Sequence, residues 1–384
     1  MLDALYLKSI EKKEEIDNFF NNITKDINIE EVKKEYNECS FDKTKQDKNF
    51  AAIDGSFNKT KFMAGYVYAI TSQTIISKCG EDIKKESKGV DIKTLSTIYD
   101  TRIDSILSLQ MDIFELKSTI DTLKKHPDLD YMLMDGSISG TLTNYRQPEI
   151  PDELETFLIS VSYEFFEDEL EKDEISLEII TETKRDYVKL ICNKFIKDNN
   201  LDIKYDKIEM DIIMCLEGYE QLFCINYLLK HFKEKIICVS KTSSTKSLFE
   251  TNIPDIAVIE YTCNKSGYAK LDPFDSMRPF RYVNHMLRQV DFPVKKFELS
   301  NTPYEIIFTK LEDKSQVLKI EIPRKLQGED EIIMILNNLE SISINGYPHI
   351  LKKAHDEVKI GTKFMKRITK DVNLSNREDR SVLN

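Results

Sequence analysis

Tryptophan is absent from this chain of 384 residues, and its seven cysteines are scattered without a single C-x-x-C pair. That spacing argues against a cysteine zinc site and for buried or free thiols in a reducing compartment. No apolar run approaches the ~20 residues that a membrane-spanning helix needs. The opening segment, MLDALYLKSIEKKEE, is charged and lacks the apolar core of a signal peptide, so the expected location is cytoplasmic. The Walker A spacing G-x-x-x-x-G-K-[ST] is missing as well, so the chain does not read as a P-loop ATPase. Internal repeats and long Pro/Gly/Ser linkers are also lacking.

What is present in excess is acid. Lys and Arg number 55 against 67 Asp and Glu, a net charge of -12, with 41% apolar and 32% charged residues. Such a chain can bury a sizeable core. Its sign argues against a protein that coats nucleic acid non-specifically, but leaves room for an enzyme with a local basic channel. The charge is unevenly spread: residues 152–183 hold 12 acidic side chains and one Lys, whereas 345–370 hold seven Lys/Arg and two acids.

Residues 1–48, dense in Lys, Glu, Asp and Asn, read as a helical N-terminal arm. From Asn49 the pattern predicts a strand (FAAIDGSF), a tight turn and a second strand (KFMAGYVYAITSQTII). Ile103, Ile106, Leu107, Phe114, Ile120 and Leu123 recur near helical spacing and predict an amphipathic helix over 100–125, ended by His126-Pro127. YMLMDGSIS (131–139) then repeats an apolar strand running into Asp-Gly-Ser. An acidic, mostly helical insertion over 152–184 is expected, with ISLEII as a strand candidate. Strands are further expected at KIICVS, DIAVIEYT and within 280–300, and a hairpin across Glu-Asp-Lys within 304–323. A helix starting near Pro348 and a basic tail at 361–384 close the chain. Alternating strands and helices predict an α/β fold, a mixed sheet with helices on its faces.

Two Asp-Gly-Ser sequences, at Asp54 and Asp135, each follow an apolar strand. Strand ends hold side chains rigidly yet free of the core, and a following Gly lets the backbone turn away from the carboxylate. The same dipeptide is also an ordinary turn former. Glu115 borders the apolar stripe of its helix; it either points to the sheet or lies solvated on the flank. Together the three carboxylates offer the hard oxygen donors that suit Mg²⁺ or Mn²⁺, and a pair of such ions activates water for phosphodiester hydrolysis. His355 shares a helix face with Leu351 and Val358, which predicts an inward imidazole, either a core histidine or a ligand favouring Mn²⁺. Lys241, Lys352 and Lys353 are candidate phosphate contacts, or simply solvated lysines.

AAIDGSF (51–57), the helix bearing Glu115, VSKT (239–242), LMDGSIS (133–139) and GYPHILKKAHDEV (346–358) together resemble the NurA nucleases, partners of the HerA translocase in DNA end processing. The resemblance spans about residues 48–360. Tyr347, eight residues before His355, is its most specific piece. It implies a ribonuclease H-like core related to the PIWI domain over 49–360, a homodimer, and Mn²⁺-dependent DNA cleavage with a hexameric HerA-type ATPase as partner. Its metal residues fall on Asp54, Glu115, Asp135 and His355, and Tyr347 on an aromatic beside them; Asp112 lies one turn from Glu115. The expected activity is 5′-to-3′ cleavage from DNA ends and cutting of single strands, with two Mn²⁺ (or Mg²⁺) ions per site. The alternative is an idle ribonuclease H-like module that binds DNA or scaffolds a translocase.

Overall fold

The computed structural model describes residues 2–25, 27–42, 47–79, 81, 83–249, 251–274, 280–283, 286–289, 292, 298–372 and 374. The chain opens with α1 (Leu2–Glu11), α2 (Lys13–Lys25), α3 (Ile29–Glu35) and β1 (Asn37–Glu38). An antiparallel meander follows, β2 (Phe50–Lys61), β3 (Gly65–Ser77) and β4 (Lys84–Ser96). Helix α4 (Ile103–Lys125) leads to β5 (Tyr131–Asp135) and the short α5 (Ile138–Thr143). Four helices, α6 (Asp152–Glu171), α7 (Ile180–Thr183), α8 (Arg185–Asp198) and α9 (Tyr205–His231), precede β6 (Ile236–Ser240) and α10 (Asp255–Thr262). The last part contains β7 (Gly267–Phe274), the hairpin β8 (Phe280–Val283) and β9 (Met286–Gln289), then β10 (Tyr304–Lys310), β11 (Leu318–Ile322) and α11 (Glu329–Ser341). A small hairpin, β12 (Ser343–Ile344) and β13 (Tyr347–Pro348), runs into α12 (His349–Val358) and α13 (Thr362–Asp371).

A nine-stranded mixed sheet organises these elements in the order β1-β7-β10-β11-β6-β5-β2-β3-β4. β2, β5 and β6 run parallel. Where they pair, over Phe50–Ile53, Tyr131–Met134 and Ile236–Val239, they read as apolar runs because both their faces are covered. Ala51, Ile53, Met132 and Met134 face a helical layer of α4, α6 and α9. Phe50, Ala52, Tyr131 and Leu133, one residue out of step, face α11 and α12. The six apolar positions that predicted α4 are all buried. The acidic segment contributes to the first of these cores through Leu154, Leu158, Phe165 and Phe166, leaving the charges of α6 other than the buried Glu155 on its outer side.

Four expectations change. Asp54-Gly55 is not a turn: β2 runs straight through it and pairs with β3 from Phe50 to Lys61. DIAVIEYT is the helix α10 rather than a strand. Pro254 stands immediately before it, and the Asp255 carboxylate takes the backbone N–H groups of Ser247, Leu248 and Phe249, so its start is fixed by the preceding loop. ISLEII forms no strand; Ile180 instead begins α7, whose first N–H groups are captured by the Glu220 carboxylate. The basic segment after 361 is no mere tail, since Thr362–Asp371 is a helix that buries Met365 and Ile368 against Ala69 of β3. The hairpin of 304–323 is present as β10 and β11. Of the strands expected within 280–300, β8 and β9 are present, and residues 290–291 and 293–297 lie outside the described residues.

Candidate functional site

β2 and β5 pair in parallel up to Ile53 opposite Met134. Asp54 and Asp135 are the next residues along, on neighbouring strands spaced about 4.8 Å apart, and alternation turns both towards α12. Asp54 is buried; its Oδ1 accepts the Gly55 N–H at 2.9 Å and its Oδ2 lies 2.8 Å from His355 Nδ1. Asp135 ends β5, and the left-handed Gly136 (φ +117°) carries the chain away from it. Lys241 follows the end of β6. Its ammonium stands 3.9 Å from Asp135 Oδ2 and 4.3 Å from the centre of the Tyr347 ring.

His355 differs from its expectation. Leu351 and Val358 are buried, but the imidazole is 51% exposed, because it borders the apolar stripe and leans out to Asp54. Lys352 is exposed one turn before His355. Lys353, two residues before it, leaves the helix on the opposite side by helical spacing.

Glu115 reaches the site from the other face of the sheet. A Cβ built on Gly55 would lie 2.4 Å from Glu115 Oε1 and 2.8 Å from Met111 Cγ. The glycine is therefore a window in β2 through which α4 presents a carboxylate, and not the turn its dipeptide suggested. Asp112, one turn earlier, accepts a hydrogen bond from Gln221 Nε2 at 3.0 Å. Asp112, Glu115, Asp135, Ser137, Thr141 and Gln221 line an inner cavity of about 140 Å³. Asp112 and Gln221 carry no motif of their own; the i, i+3 spacing of Asp112 to Glu115 is the sequence signal for the first, and nothing signals the second.

Burial raises every one of these carboxyl groups. Asp54 is held above its ordinary value by desolvation, partly offset by His355 and the Gly55 N–H. Asp135 is raised by desolvation, with Lys241 pulling the other way. Glu115 is pushed well up, first by burial and then by the charges of Asp112, Asp54 and Asp135. Asp112 is pushed up to about 7, by burial. The Tyr347 phenol is raised too, by burial and both aspartates, so it stays protonated and able to donate. Crowded, desolvated carboxylates short of positive charge have the chemistry of a divalent cation site. Among the described residues no three Asp, Glu, His or Cys side chains already stand at common ligand spacing. Asp54 is engaged by His355, and Glu115 lies across β2. The donor types fit a hard cation; its binding requires these side chains to turn towards one point.

The NurA domain family profile matches residues 48–360. The chain belongs to the NurA family. One relative, the probable DNA double-strand break repair nuclease NurA of Methanocaldococcus jannaschii, is 29% identical over 372 residues, covering 93% of this chain and 86% of that protein. The DNA double-strand break repair nuclease NurA of Saccharolobus solfataricus is 26% identical, covering 96% of this chain and 95% of its own. Among solved structures, the NurA nuclease from Sulfolobus solfataricus superposes with a TM-score of 0.70 at 22% identity, covering 97% of both chains. A NurA bound to dAMP and manganese superposes with a TM-score of 0.66 at 16% identity, covering 97% of this chain and 98% of that one. These NurA structures share the fold described above, a large mixed sheet flanked by helices.

Proposed function

We propose that this NurA-family chain is a divalent-metal-dependent DNA nuclease of double-strand break repair. The observation that carries the reading is the adjacency of Asp54 and Asp135 on parallel strands, with Glu115 entering through Gly55 and His355 held on Asp54. Relatives named as DNA double-strand break repair nucleases, and a NurA solved with manganese, support it. Asp54, Glu115, Asp135 and His355 are the residues that would hold Mn²⁺ or Mg²⁺, two ions per site. When bound, such ions supply an activated water and neutralise charge on the phosphate. The strand order β4-β3-β2-β5-β6, a meander continued by two parallel strands, supports a ribonuclease H-like core.

The chain's own residues have separate tasks. His355 orients the Asp54 carboxylate through its 2.8 Å contact. The Tyr347 ring steadies the Lys241 ammonium, which is placed to hold a phosphate oxygen beside Asp135. The protonated Tyr347 phenol can donate to that same anion. Lys352 and the exposed cations of α13 contact phosphates of the flanking DNA, a local basic surface on an acidic molecule, and Lys353, on the opposite side of α12, is assigned no contact there. The proposed assembly is a cytoplasmic homodimer working with a HerA-type hexameric ATPase, and the proposed cleavage runs 5′ to 3′ from ends and within single strands. Exposed apolar side chains on the N-terminal helices, including Leu5, Leu7 and Phe19, support a surface that a partner covers.

The deciding experiment incubates purified protein with 5′- or 3′-labelled duplex and single-stranded DNA in Mn²⁺, Mg²⁺ or EDTA, alongside Asp54→Ala and Asp135→Ala. Cleavage that needs metal and disappears in both folded variants is expected. Intact DNA in every lane for the wild type, with and without the ATPase, would return the chain to the idle-module reading.

A further inference from the structure

The turn after Asp135 is held both from β6, which pairs with β5, and from a strand that does not touch β5. Ser240 donates its hydroxyl to the Gly136 carbonyl at 2.5 Å, and Ser137 Oγ accepts the Gly140 N–H at 3.0 Å. Two strands away on β11, Glu321 is 1% exposed. Its Oε1 accepts the Ser139 N–H at 2.8 Å; its Oε2 accepts the Ser137 hydroxyl at 2.5 Å and the Ser139 hydroxyl as well. Lys319, on the same face of β11 and also buried, places its ammonium 3.4 Å from Glu321 Oε2 and 3.3 Å from Ser137 Oγ.

A buried ion pair is a poor stabiliser of a strand, because desolvation offsets most of its attraction and apolar residues of the same volume would serve as well. What a carboxylate does and an apolar side chain does not is fix three donors of one turn in direction, through short charge-assisted hydrogen bonds. The turn begins one residue after Asp135. We propose that Glu321 is a positioning residue: it locks residues 136–139, and through them the Asp135 carboxylate, in the orientation that a divalent cation requires. The proposal rests on the metal-dependent reading of the site, and it acts as outer partners of metal ligands do, by orienting the ligand.

The test uses the full chain as wild type, Glu321→Gln, and Lys319→Met/Glu321→Gln. Three quantities are measured: hydrogen exchange at the amides of 137–140 in EDTA, Mn²⁺ affinity by calorimetry, and cleavage of a labelled oligonucleotide. Glu321→Gln is expected to exchange at least tenfold faster at the Ser139 amide and to bind Mn²⁺ at least tenfold more weakly, with excess Mn²⁺ partly restoring cleavage. The double variant removes the unpaired ammonium, so its melting temperature should return towards wild type while the Mn²⁺ defect persists. Mn²⁺ affinity within twofold of wild type in either folded variant would overturn the proposal, because Glu321 would then only neutralise Lys319. So would a wild type that binds no Mn²⁺. A wild type that binds Mn²⁺ but cuts no DNA would sink the nuclease reading, while the binding and exchange data still decide the role of Glu321.

Discussion

Gly55 shows how much one missing side chain can decide. A methyl group there would meet Glu115 Oε1 at 2.4 Å, well inside van der Waals contact, while the fold around it stays paired on β3. Gly55→Ala should therefore leave the circular dichroism spectrum intact and lower cleavage at least tenfold; unchanged activity would remove Glu115 from the site. His355 is half exposed, so His355→Gln should shift stability by less than about 1 kcal/mol. As a ligand it should weaken apparent Mn²⁺ affinity tenfold or more, about 1.4 kcal/mol. A Mn²⁺ titration of activity and melting temperature separates the two effects, and an unchanged titration would leave a carboxylate-only site. The raised carboxyls give a third expectation. In the unfolded chain Asp112 ionises near pH 4, whereas in the folded chain it ionises at about 7. The folded state thus keeps a proton that the unfolded state has lost, so this contribution to stability is present below pH 4 and is lost as pH rises to about 7. In EDTA the melting temperature of the wild type should fall over that interval more than that of Asp112→Asn. Parallel curves would show that Asp112 is not desolvated as described.

At the scale of elements, the site depends on how α4 is pinned to its neighbours. Lys117, fully buried on α4, meets Glu220 of α9 at 2.6 Å and donates to the Glu178 carbonyl at 2.5 Å. Glu220 in turn accepts from the Ile180 and Thr181 N–H groups and from the Thr181 hydroxyl. One ion pair thereby ties α4, α7 and α9 together, two residues beyond Glu115 and at the end of the acidic segment. Lys117→Met should cost about 3–5 kcal/mol, because it strands a buried carboxylate, and Lys117→Met/Glu220→Gln should recover a good part of it. Denaturant melts of the three proteins check this; a double variant no more stable than the single one would contradict the pairing. The periodicity of 100–125 does put Lys117 on the apolar face, three residues after Phe114 and three before Ile120; what the sequence does not reveal is the Glu220 partner that lets a lysine stay there, since this residue type is ordinarily solvated.

For the whole molecule, the question is how an acidic chain approaches a polyanion. Lys363, Lys366, Arg367 and Lys370 recur at i, i+3, i+4 and i+7 along the exposed side of α13, opposite buried Met365 and Ile368. The Ile360 backbone just before that helix is stitched to Ser56 and Asn58, two and four residues past Asp54. Changing all four cations to Gln should lower duplex binding in EDTA and make its dependence on log salt shallower by up to about 3.6, since each phosphate contact contributes about 0.9 units of slope. Fluorescence anisotropy across a salt series reads this directly. An unaltered slope would move the DNA path elsewhere on the surface.

The sequence by itself determined the class of fold, the apolar strands and the helix of Glu115. These follow from local periodicity, which a chain carries whatever its tertiary partners are. It also carried the family, through the spacing of two Asp-Gly-Ser segments and of Tyr347 and His355. Only the tertiary structure decided that Asp54 sits inside a strand and that Gly55 is a window rather than a turn. Only there does DIAVIEYT become a helix, through Pro254 and the loop held by Asp255. The partnership of Glu321 with a turn 182 residues earlier is likewise invisible in sequence. For Asp54, Gly55 and Glu321 the physical reason is common: each depends on what pairs or packs across the sheet, and side chains that meet across a sheet leave no period in the chain that bears them, whereas the start of α10 is set by the loop just before it.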